Sequence, residues 1–267
     1  MKRLLSGSGP ALALALVLWS GAGRAQLADG PPMPAAMDMR KVAVGSWADY
    51  KVGVGTMPAM KTRMALVARV KNAVTLEMTV DGGIIAAAGG KMVLQTVVDA
   101  EPSKVGAVKR LVMQMGASDP MEMPPEVGQH QQFQKPDPKS FVNDETVTVA
   151  GGTFKAKHYR QKTAKGDPLE FWISEQVPPF GLVKIQGQQN MAMPGGASGP
   201  MPVTFELEGH GKNAASAIVK PVKPFDQQAF MGQMMTSAQA MTAAAGKPAP
   251  ETGGKPAPAA GGKPPGK

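Results

Sequence analysis

Residues 74–80 read Val-Thr-Leu-Glu-Met-Thr-Val, and their alternation decides the fold class. Val74, Leu76, Met78 and Val80 fall on one side of an extended chain and Thr75, Glu77 and Thr79 on the other. This two-residue period is that of a strand with one face buried. It returns in residues 62–70, 92–98, 108–115, 146–149, 153–160, 169–174, 182–185 and 203–207, and Trp47 and Tyr50 open the series in a strand near 45–54. Asp81-Gly82-Gly83, Gly89-Gly90 and Gly151-Gly152 separate several of these segments as hairpin turns do. Parallel pairing would need a helix-length connection each time, and none is present. The chain therefore predicts a mostly β fold of roughly nine or ten strands, a curved antiparallel meander sheet forming a half-barrel or open barrel.

Downstream of the strands the period changes. Phe230, Met231, Met234, Met235, Ala238, Met241 and Ala245 recur at helical spacing, behind Asp226 as N-cap and before Gly246 as a stop. This predicts one C-terminal helix over about 227–245. Its polar face carries no charge between Gln227 and Ala245, whereas a membrane-surface helix normally presents Lys or Arg there, so it is expected to pack on the sheet.

The two ends of the chain read differently from its body. Lys2 and Arg3 precede an apolar run from Ala11 to Trp19 and then small residues up to Ala25, the pattern of a secretory signal peptide over 1–25. That run is far shorter than the ~20 residues of a membrane-crossing helix, and no transmembrane span is expected. Residues 26–40, rich in Pro, Met and Ala, read as a flexible lead-in, and 41–245 as a single domain. From Gly246 to Lys267 the chain repeats Gly-Lys-Pro with Ala and Pro, too dense in helix and sheet breakers to pack, and a disordered tail is expected. A contact between this tail and an envelope polymer is one expectation, a solvated spacer the other. The chain has no cysteine, which excludes disulfides, thiolate chemistry and a lipidated anchor. The expected location is the periplasm or the medium.

A net charge of +9 suggests nucleic acid until its distribution is considered. Lys2, Arg3 and Arg24 belong to the signal segment, and the tail holds Lys247, Lys255, Lys263 and Lys267 against Glu251. The body keeps a small excess of mixed charges, and aromatic residues are too sparse for a base-stacking platform.

Catalytic signatures are missing. There is no GxSxG elbow, HExxH pair, phosphate-binding GxxxxGK[ST] or EF-hand loop, so the chain reads as a non-enzyme without cofactor. His130, His158 and His210 lie far apart; His158 alternates with Phe154 and Ala156, as a structural histidine at a core edge would. Methionine is in excess. Met113 and Met115 continue the alternation of Leu111 and are expected in the core. Met121, Met123, Met191 and Met193 fall in two long segments read as loops, 116–144 and 187–202, and are the weak candidates for a soft-metal site such as Cu(I).

Residues 145–187 read ETVTVAGGTFKAKHYRQKTAKGDPLEFWISEQVPPFGLVKIQG. A strand ending in Gly-Gly-Thr-Phe, a strand with His158-Tyr159, a Trp-bearing strand and Pro178-Pro179-Phe180-Gly181 follow one another. This arrangement resembles uncharacterised exported bacterial β-rich proteins, similar in outline to the lipoprotein-carrier half-barrels of the LolA/LolB type. The resemblance implies a curved sheet wrapped round an apolar cavity that holds acyl chains. On that reading the ligand is a lipid or other hydrophobic molecule, and the lining is drawn from Leu66, Leu76, Met78, Leu94, Met113, Phe171 and Phe205, all on inward-reading faces. Two alternatives stand beside it: these positions pack on one another without a cavity, and the protein is a structural or interaction component of the cell envelope.

Overall fold

The structure is a computed structural model. It describes residues 33–34, 37–87, 90–100, 108–124, 133–134, 136–162, 168–192, 198–230 and 232. The signal segment, the Gly/Lys/Pro tail and most of the helix expected at 227–245 lie outside the described residues.

The strands are β1 (Met33–Pro34), β2 (Trp47–Val54), β3 (Met60–Val70), β4 (Ala73–Gly82), β5 (Met92–Asp99), β6 (Val108–Met115), β7 (Met121–Met123), β8 (Phe133–Gln134), β9 (Phe141–Val149), β10 (Gly152–Lys162), β11 (Pro168–Ile173), β12 (Leu182–Ala192) and β13 (Ser198–Gly211). A short helix, α1 (Gly83–Ala87), links β4 to β5. Eleven strands form one antiparallel sheet in the order β7-β6-β5-β4-β3-β2-β13-β12-β11-β10-β9, while β1 and β8 pair in parallel separately. Two meanders, β2 to β7 and β9 to β13, are thus joined where the last strand returns to pair with β2. The sheet is open, with β7 and β9 at its edges.

Alternation places the core on one face. A cross-strand row runs Met64, Met78, Leu94, Met113, Met121 over β3 to β7. A second runs Phe171, Ile185, Phe205, Val52, Met60 from β11 to β3. Directly opposed side chains on one face are near neighbours, so each row excludes water along its length. Tyr50, fully buried, donates its hydroxyl to the Leu182 carbonyl at 3.0 Å, and burial pushes its ionisation well above the ordinary phenol range.

Three sequence expectations change. Residues 187–202 are not one long loop: β12 continues to Ala192 and β13 begins at Ser198, and the two pair along their length. In 116–144, Met121–Met123 form β7 and β9 begins at Phe141. Asn143, Asp144 and Glu145 break the apolar alternation there because an edge strand has no need to bury both sides. Residues 37–40, assigned to the lead-in, belong to the packed body: Met39 is buried, and the Arg69 guanidinium bonds to the Met39 and Val42 carbonyls.

The chain after β13 crosses the polar face of the sheet as a strap. Ala214 N–H bonds to Gly45 O at 2.8 Å. Buried Glu77 then accepts from Ala217 N–H at 2.8 Å, from the Ser216 hydroxyl at 2.7 Å and from Gln95 Nε2 at 3.3 Å. At the edge Lys223 bonds through its backbone to both Glu122 N–H and Pro120 O. The C-terminal helix then starts as expected: Asp226 Oδ1 accepts from Gln228 and Ala229 N–H at 2.9 and 3.0 Å, and Phe230 packs against the core.

Candidate functional site

Every position expected to line a cavity is buried on the apolar face. Leu66 faces Leu76; Met78, Leu94 and Met113 are consecutive members of one row; Phe171 and Phe205 flank Ile185 in the other. All seven join one continuous core with their neighbours.

The candidate site lies where this face ends. Through β11 the buried face carries Leu169, Phe171 and Ile173. On the next strand the phase reverses: Phe154, Ala156 and His158 are buried, and Lys155 and Lys157 are exposed. Since Lys157 pairs with Ile173 and Tyr159 with Phe171, one face turns from apolar to charged in a single strand step.

The β9–β10 hairpin makes the reversal possible by leaning its end back on β13. Gly151 N–H bonds to Leu207 O at 2.9 Å, and the Phe154 ring meets His210 edge-on at 5.6 Å. A Cβ on Gly151 would stand 2.9 Å from Leu207 Cγ, and Gly152 has φ +135°, so the turn requires both glycines.

The step leaves a pocket of about 720 Å³. Tyr159, Ile173 and Pro136 supply its apolar side, and Thr146, Ser174, Gln176, Asp144, Glu175, Lys155 and Lys157 its polar side. None of the seven expected lining residues borders it. Neither lysine ammonium makes an ion pair or hydrogen bond among the described residues.

Glu145 also borders the pocket, but its carboxylate serves the opposite face. There it accepts from the Trp172 indole N–H and lies 3.4 Å from His158 Nδ1. The His158 ring stacks on Trp172 at 4.5 Å, and Arg160 bonds to Glu170 at 2.7 Å. This polar network backs the pocket and fixes β9, β10 and β11 relative to one another. His130 lies outside the described residues.

The soft-metal reading loses half its candidates. Met121 and Met123 sit on β7, 7% and 6% exposed, opposite Met113 and Leu111, and are core residues rather than loop ligands. Met191 lies on β12 opposite Gly199, and Met193 is outside the described residues. Among the described residues no group of three or more His, Cys, Asp or Glu could hold a metal ion. No described helix is long and apolar enough to cross a membrane.

Sequence pattern could not locate the pocket. Lys155 and Lys157 signal it only when known to share a face with Ile173 and Phe171, and that depends on the β10–β11 register.

No protein-family model matches the chain, and no curated protein matches it. Among solved structures, a hypothetical protein of Chlamydia trachomatis aligns over 70% of this chain and 95% of its own, at 12% identity and TM-score 0.40. A candidate exported protein of Bacteroides fragilis with a YmcC-like fold aligns over 67% and 98%, at 12% identity and TM-score 0.33. A candidate lipoprotein of Parabacteroides distasonis aligns over 68% and 100%, at 12% identity and TM-score 0.28.

Proposed function

We propose that this is an exported, non-catalytic protein that holds a hydrophobic molecule with a polar end, seated in the pocket between β9, β10 and β11. One observation carries the reading: the apolar face ends in a space with Tyr159 and Ile173 on one side and unpaired Lys155 and Lys157 on the other. Small-molecule sites commonly enclose about 300–1,000 Å³ of mostly apolar wall with a few polar groups that fix orientation, and 720 Å³ falls within that span. The likeness of residues 145–187 to the lipoprotein carriers points to the same ligand class, a lipid or other acyl-bearing molecule. The apolar body would lie toward Ile173 and the polar end toward the lysines.

Native mass spectrometry of the exported protein from its own host tests this. The expected result is a co-purifying acyl species, lost when Lys155 and Lys157 are both changed to Glu and the fold is retained by circular dichroism. Bare protein that also takes up no fluorescent fatty acid overturns the reading.

A further inference from the structure

We propose that the molecule held in the β9–β11 pocket is a zwitterionic phospholipid, with its acyl part over β11, its phosphate over β10 and its terminal ammonium over β9. The inference rests on the reading of this pocket as a lipid site and names the head group that the site selects. One cross-strand row carries it. Ile173 on β11 is opposed by Lys157 on β10, and Lys157 in turn by Asp144 on β9. All three border the pocket. Opposed residues share a face, so the row presents an apolar, a positive and a negative group in that order, each about 4.7–4.9 Å from the next by strand spacing.

Lys157 and Asp144 are a pair that a sheet surface ordinarily joins. They are directly opposed and both exposed, yet no ion pair or hydrogen bond links ammonium to carboxylate, and neither head group has another partner among the described residues. Both charges are thus available to a ligand. The surrounding charges keep the same balance. Lys155 lies two residues before Lys157 on the same face, and Glu175 borders the same space. The Glu145 carboxylate is spent on Trp172 and His158 on the opposite face. Two ammonium groups therefore stand against two carboxylates round one space, which favours a dipolar head group over one of net charge.

Other lipid heads match the row less well. A fatty acid would set its carboxylate beside Asp144 as well as Lys157. A phosphoglycerol head would satisfy the lysines and leave Asp144 without a counter-ion. A phosphate joined through two carbons to an ammonium sets a negative group on Lys155 and Lys157 and a positive one on Asp144, across roughly one strand spacing.

The test compares three probes with the same single acyl chain: a phosphoethanolamine lysolipid, a phosphoglycerol lysolipid and the free fatty acid. Each displaces a fluorescent fatty acid from the exported protein, below the concentration at which the probe aggregates. The phosphoethanolamine probe is expected to bind about fivefold more tightly than the phosphoglycerol one, the scale of one exposed ion pair. Asp144→Asn should bring the two within about twofold, and Lys157→Met should weaken both. Both residues are exposed, so the variants are expected to fold; circular dichroism checks this. Equal affinities in the wild type overturn the proposal, and so does a preference that survives D144N. If all three probes bind without discrimination, the pocket stands as a lipid site and the head-group assignment alone falls; if none binds, both fall.

Discussion

The two edges of the sheet solve the same physical problem in opposite ways. At β7 the strand is short, and the chain itself covers it: the strap after β13 bonds backbone to backbone on both sides of Met121 through Lys223. At β9 a nine-residue strand pairs on one side only among the described residues, with two large apolar side chains half exposed. The strap fixes the β7 edge by backbone bonds, whereas β9 is held among the described residues from the β10 side alone.

The contrast holds only if the β9 edge is firmly built, and core deletion tests that with the largest effect. Phe154, 5% exposed, anchors the β9–β10 hairpin against the body. Phe154→Ala is expected to destabilise by about 3–5 kcal/mol, read as a lowered urea midpoint. A loss under about 1 kcal/mol would mean that the hairpin is loose and the edge ill-defined.

The closed edge is tested next by Glu77→Ala. Glu77 is 6% exposed and receives three hydrogen bonds, two of them from the strap. Its removal is expected to cost about 2–3 kcal/mol, with elastase then cutting faster after Ala217 and Val219. Unchanged cleavage would show that the strap is held elsewhere.

The smallest effect concerns pH. Hydrogen bonds from Lys223, then Lys220, hold the Asp119 carboxyl below its ordinary range, and Asp119 in turn raises Lys223. A depressed carboxylate stabilises above its unfolded value, about 3.9, and loses that contribution as pH falls through its lower folded value; a raised lysine stabilises below about 10.4 and loses it as pH climbs. The protection factors of the amides at residues 220–223, exchange rates taken relative to the unstructured chain at the same pH, should therefore be highest between those limits and lower outside them. Because these groups are exposed, 1 M salt should weaken the effect. Protection indifferent to pH and salt would assign the strap's hold to its backbone bonds alone.

Much of the fold was legible because burying one face of a strand writes a two-residue period into the chain. Residues 108–115 were bounded as they stand in β6, and 74–80 lie within β4. The signal weakened where burial weakened. β7 went unseen in a Met/Pro-rich stretch, and the first half of β9 was hidden by Asn143, Asp144 and Glu145, whose side chains need no apolar partner. The seven residues expected to line a cavity lie in the core of the sheet's apolar face. The pocket lay one strand further on, because Lys155 and Lys157 look like ordinary solvent positions until the β10–β11 register sets Lys157 against Ile173.

Local pattern alone therefore determined that this protein is a one-sided antiparallel sheet followed by a capped helix, since period and capping are properties of neighbouring residues. Tertiary structure decided that β13 returns to β2, that the buried face changes sides between β11 and β10, and that the strap after β13 runs along the β7 edge. These depend on which distant segments meet, and pairing between strands far apart in the chain leaves no mark in the sequence of either.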